Sequence, residues 1–78
     1  MIAAHKYLDL NLSILNLGGI ILTIGKQSKI IKYDELLQIV IAERGESAKD
    51  VFIPTLSFLY ILGKLDYRNE IDAIEFKK

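Results

Sequence analysis

The side chains best suited to chemistry in this chain lack the neighbours that chemistry would need. His5 is the only histidine and there is no cysteine, so a metal site or a histidine-based nucleophile has no obvious companion; His5 reads as a surface or packing residue. Asp66, Glu70, Asp72 and Glu75 form the densest run of carboxylates, but their spacing does not fit a calcium loop. They read as an acidic, solvated hairpin. Gly18–Gly19 lies inside a helical pattern and lacks the Gly-Lys-Ser/Thr that completes a phosphate-cradling loop. No catalytic residue, metal ligand set or cofactor is expected, and the chain reads as a non-enzyme.

Two other groups concern binding. Lys26, Lys29 and Lys32 could line one edge and contact a nucleic-acid backbone, or form a solvated surface. Residues 51–62, Val-Phe-Ile-Pro-Thr-Leu-Ser-Phe-Leu-Tyr-Ile-Leu, are almost wholly apolar. A helix that reads a major groove presents Arg, Lys, Asn or Gln to base edges; this segment has only Thr55, Ser57 and the Tyr60 hydroxyl. On a helical wheel it leaves almost no polar face, so the surface not packed on the rest of the domain must meet something else. Phe52, Ile53, Phe58, Tyr60 and Ile61 are the candidate partner-interface residues, and aromatic anchors of this kind often become interface hot spots.

The elements that position these residues follow from periodicity and punctuation. Residues 1–8 form a lead-in without clear period. Asp9 or Asn11 can cap a first helix running to about Lys26, with Asn16, Gly19, Thr23 and Lys26 on a narrow polar stripe. Its wide apolar arc implies contacts on more than one side, and Gly18–Gly19 suggests close approach of another backbone. Lys29–Tyr33 reads as a short strand. Asp34 caps a second helix, Glu35–Arg44, stopped by Gly45. Ser47-Ala-Lys-Asp50 resembles a capping box opening a third helix that ends near Leu62–Gly63. Pro54 requires either that this helix begin near Asp50 or that it bend. Lys64–Arg68 and Ala73–Lys77 alternate polar and apolar around the turn Asn69–Asp72 and read as a hairpin. The order helix, strand, helix, helix, strand, strand is that of a small α+β winged-helix domain, the hairpin being its wing.

Size and composition bound the rest. Seventy-eight residues make one domain, 1–78, too small to bury all of a 51% hydrophobic composition, and large exposed apolar patches mark interaction surfaces. Ten basic and ten acidic residues give zero net charge, so no overall basic field draws the chain to nucleic acid, and the wing carries an acidic excess. The apolar run Leu12–Ile24 is shorter than the roughly 20 residues of a membrane span and reads as a buried helix. Absence of cysteine suits a reducing, cytoplasmic location.

Three segments, His5-Lys6-Tyr7-Leu8-Asp9-Leu10-Asn11-Leu12-Ser13, Ile31-Lys32-Tyr33-Asp34-Glu35-Leu36-Leu37 and Phe58-Leu59-Tyr60-Ile61-Leu62-Gly63-Lys64-Leu65-Asp66-Tyr67, resemble the small middle-component proteins of bacterial ABC-three-component systems. The resemblance implies an assembly in which an ABC or SMC-like ATPase senses a trigger, an effector responds, and the middle component links them in defence against phages or plasmids, as in Lamassu-type systems. It carries over no catalytic residues. The expectation is therefore a non-catalytic adaptor bound to an ABC/SMC-like ATPase and an effector, with self-association a further option, DNA contact indirect or weak, and no membrane association. The alternatives are a winged-helix DNA-binding transcriptional regulator, which would depend on the lysine edge, and a simple homodimeric interaction module.

Overall fold

The computed structural model describes residues 2–77, with side chains from Leu12 to Lys77. Three helices, α1 (Ile2–Gln27), α2 (Tyr33–Arg44) and α3 (Ala48–Ile61), accompany a sheet of β1 (Ile30–Lys32), β2 (Leu65–Arg68) and β3 (Ala73–Phe76). The strands are antiparallel in the order β1-β3-β2. This is the expected α+β, winged-helix-like arrangement, with β2 and β3 as the wing.

The first helix begins at Ile2 rather than at Asp9 or Asn11. Residues 2–8, expected as a lead-in, are its first turns; Ala3, Ala4, Lys6 and Leu8 are good helix formers, so a cap at Asp9 is not needed to start it. The expectation for His5 lies outside the described side chains. Asn16, Gly19, Thr23 and Lys26 are exposed along one stripe, as the wheel predicts, and Thr23 donates its hydroxyl to Gly19 O at 2.8 Å. Leu17 and Ile21 enter the core, while Leu12 and Leu15 remain exposed, so the apolar run is buried on one side only.

The glycines of α1 act differently from the expectation. Gly18 faces side chains of α3, not backbone: an added Cβ would stand 3.7 Å from Leu59 Cδ2 and 3.8 Å from Thr55 Cγ2. Gly19 faces open space. The tight site is Gly25, where a Cβ would come within 2.6 Å of Phe76 Cγ. An aromatic ring of β3 lies where a side chain would otherwise be.

Helix α2 starts two residues earlier than expected, and Lys32, not Asp34, occupies its cap position without a side-chain cap. The hairpin supplies the missing acceptor instead: Tyr33 N–H donates to Asp72 O at 3.0 Å. Asp34 and Glu35 sit in the first turn, where the helix dipole favours them. The helix ends as predicted, with Arg44 in its last turn and Gly45 at φ +93°.

No side-chain capping box forms at Ser47, which is itself helical in conformation. A tight turn opens α3: Ala48, Lys49 and Asp50 N–H groups donate to Gly45, Glu46 and Ser47 carbonyls. Pro54 lies inside the helix, whose start is Ala48 and not Asp50. The carbonyl that loses its partner belongs to exposed Asp50, where water can replace it. The far end is a Schellman motif: Lys64 N–H donates to Leu59 O and Gly63 N–H to Tyr60 O, both at 2.9 Å, with Gly63 at φ +77°. These bonds turn the chain directly into β2.

Helix α3 packs mainly against α1 and also against α2 and β2. Its Phe52 and Leu59 meet Leu36 and Val40 of α2, Leu17 and Ile21 of α1, and Ile74 of β3 in one core. Thr55 is fully buried, and its hydroxyl bonds to Val51 O at 2.6 Å, so no polar atom is orphaned there.

Candidate partner interface

Burial fixes which way the apolar third helix faces. Ala48, Phe52, Thr55, Leu56 and Leu59 point inward. Outward stand Ile53, 62% exposed, Tyr60, 60%, Ile61, 80%, and Phe58, 38%, with Leu62 beside them. Of the five candidates, four lie on the surface. Phe52 does not: it is 1% exposed and meets Tyr33 edge-on, ring centroids 5.3 Å apart at 78°. It is a core residue, because α3 crosses the start of α2 at that point.

Sequence reasoning missed several members of the same surface. Ile53, Ser57, Tyr60 and Ile61 form one wall of a groove of about 600 Å³ whose other parts are Tyr33, Leu65, Asp66, Tyr67 and Ile74. Register explains the far wall: Tyr67 lies opposite Ile74, and Leu65 opposite Phe76, so these side chains share the sheet face turned towards the helices. Alternation within Leu65–Arg68 signalled Tyr67 as a partner of Leu65, but only the pairing brings both beside α3.

Ser57, Asp66 and the hydroxyls of Tyr33, Tyr60 and Tyr67 are the polar groups among the lining residues. Tyr67 donates its hydroxyl to Asp72 Oδ1 in a short hydrogen bond across the hairpin. That bond, with Asp72's charge, holds the Tyr67 phenol above its ordinary pKa of 10.0. Tyr33 is raised as well, first by burial and then by Asp72 and Asp34. Lys77 pairs with Asp66 at 2.9 Å, which raises its pKa, and Arg68 pairs with Glu75 at 3.2 Å. Both tyrosines thus stay neutral hydroxyls at physiological pH, and the groove is an apolar surface interspersed with hydrogen-bonding groups.

The structure separates the three candidate lysines. Lys26 and Lys29 border a second pocket together with Lys64 and Lys77. Lys32 lies at the opposite end of β1, paired in register with Ala73. Sequence proximity misled here because a strand of three residues carries Lys32 away from Lys29.

Among the described residues no group of acidic or histidine side chains is placed to hold a metal ion, and no helix is long and apolar enough to cross a membrane. The arrangement offers adhesion: large apolar and aromatic side chains with satisfied polar neighbours. Comparison with curated proteins and with solved structures returns no match. Residues 29–77, from just before β1 to just after β3, match the family described as ABC-three component (ABC-3C) system Middle Component 8. With β1, α2, α3 and the wing all inside that match, the chain belongs to this family of ABC-three-component middle components.

Proposed function

We propose that the chain is a non-catalytic adaptor that joins an ABC or SMC-like ATPase to an effector within a bacterial defence complex. Membership of a middle-component family implies work alongside the other components of such a system. The observation that carries the finer reading is the outward apolar face of α3, Ile53, Tyr60 and Ile61, beside the groove against β2. Exposed side chains of this size on a 78-residue domain of zero net charge favour association over solubility. A standard interface needs about 800 Å² from each partner, a demand the α3 face and groove can meet together.

The outward face of α3 speaks against direct sequence reading. Between Asp50 and Gly63 its exposed residues include no Arg, Lys, Asn or Gln, the side chains that pair with base edges. Co-expression of the tagged chain with the other components of its system tests the adaptor reading. Wild type should retain the ATPase stoichiometrically, whereas Tyr60→Asp/Ile61→Asp should lose it by at least an order of magnitude while keeping the wild-type circular dichroism spectrum. Stoichiometric retention by the double variant would contradict the assignment of this face. A wild-type chain that binds no component and only dimerises would instead favour the homodimeric module.

A further inference from the structure

We propose that Lys29, Lys77, Lys64 and Lys26 form a binding site for the phosphate backbone of nucleic acid, independent of sequence and separate from the α3 face. The site is created by register. At one end of the sheet, Phe76 N–H donates to Lys29 O at 2.8 Å and Lys77 N–H to Lys64 O at 2.9 Å. On this pairing Lys64 stands opposite Lys77 and Lys29 opposite Phe76, so the three lysines gather at one end of the sheet β1-β3-β2. Strands lie about 4.8 Å apart, so the three backbones lie within roughly 10 Å, and long flexible side chains can reach neighbouring phosphates. Lys26, in the last turn of α1, adds a fourth ammonium.

These four residues border one concave pocket of about 540 Å³ with Leu22, Gly25, Gln27 and Phe76, and among the described residues no carboxylate side chain lines it. Lys77 is engaged by Asp66 at 2.9 Å, but both side chains are substantially exposed, so water and a phosphate can compete for the ammonium. The C-terminal carbonyls of α1 oppose an anion with about half a charge, less than the cluster supplies. Asp66 and Glu75 are the carboxylates beside Lys77 and offset part of the cluster's charge, whereas Asp34, Glu35, Glu70 and Asp72 occupy the start of α2 and the hairpin turn. A molecule of zero net charge is thus polarised, with its cations concentrated at the sheet end that the hairpin turn leaves free. A nucleic-acid backbone fits this better than a base-reading mode, since the pocket's only aromatic ring, Phe76, is buried and cannot stack on a base.

Fluorescence anisotropy of the full chain against a labelled 20-base-pair duplex, titrated between 50 and 200 mM salt, tests the proposal. Four phosphate contacts predict a log–log salt slope of about −3.6, a loss of roughly 150-fold over that range. Lys29→Gln/Lys64→Gln should reduce the slope's magnitude by about 1.8 and weaken binding at 50 mM salt. Lys32→Gln, at the other end of β1, should leave slope and affinity at 50 mM salt close to wild type. The adaptor reading survives or fails separately, because none of these lysines lies on the outward face of α3. Absence of binding at 50 mM salt would overturn the site, as would a Lys29→Gln/Lys64→Gln chain that binds like wild type. So would tighter binding of poly-glutamate than of the duplex, which would assign the cluster to an acidic protein segment.

Discussion

At the scale of single residues, Gly25 and Gly19 make opposite demands on the same helix. The Phe76 ring fills the space beside Gly25, and open solvent lies beside Gly19. Gly25→Ala should therefore destabilise the fold by about 1–3 kcal/mol, the usual range for overpacking. Gly19→Ala should stabilise it by about 0.5–1 kcal/mol, because alanine loses less backbone entropy in a helix. Urea denaturation of the two variants checks both signs, and equal effects would show that Phe76 does not constrain α1. Gly18–Gly19 stands out in the sequence and Gly25 does not. A doublet within a helical pattern is visible in the chain, whereas the approach of Phe76, 51 positions later, exists only once β3 is paired. Phe52 illustrates the same limit. Its side chain is as apolar as that of Phe58, and only the packing of α3 on α2 makes one core and the other surface.

At the scale of elements, the wing and α2 are tied together through Asp72. Its carbonyl accepts the first N–H of α2, and its carboxylate accepts the Tyr67 hydroxyl. Tyr67 and Tyr33 both have folded pKa values above the ordinary 10.0, and Lys77 lies above 10.5 through its bond to Asp66. A group whose pKa is raised by folding lends stability that is complete below its unfolded pKa and lost as pH rises through the folded value. The urea midpoint should accordingly stay level from pH 8 to about 9 and fall above about 10. Tyr67→Phe should lower the plateau and flatten the fall; an unchanged alkaline limb would mean that the hairpin contact contributes nothing. Element type and order were legible because hydrophobic period and glycine stops are local signals: Gly45 and Gly63 end α2 and α3 where expected. The starts were less legible. Asp34 and Ser47 have the right chemistry for caps, but an acceptor from the distant hairpin and a tight turn at Gly45 took those roles.

At the scale of the whole molecule, the chain divides its surface by chemistry. Lysines border one end of the sheet, carboxylates collect near the hairpin turn, and the outward face of α3 with the groove against β2 is apolar. The existence of excess apolar surface was legible from a 51% hydrophobic composition in 78 residues. Its location was not, because α3 is apolar nearly all round and the wheel assigned no inner side. The family match, over residues 29–77, takes in the groove and the outward face of α3, and leaves α1 outside. Site-specific photo-crosslinking within the co-expressed system would test the central claim most directly. A photoreactive side chain would replace Ile61, the most exposed residue of the α3 face, and in a separate chain Ile39 on α2. The adaptor account predicts an abundant crosslink from position 61 to another component of the system and little from position 39. Crosslinks from position 39 with none from position 61 would contradict it.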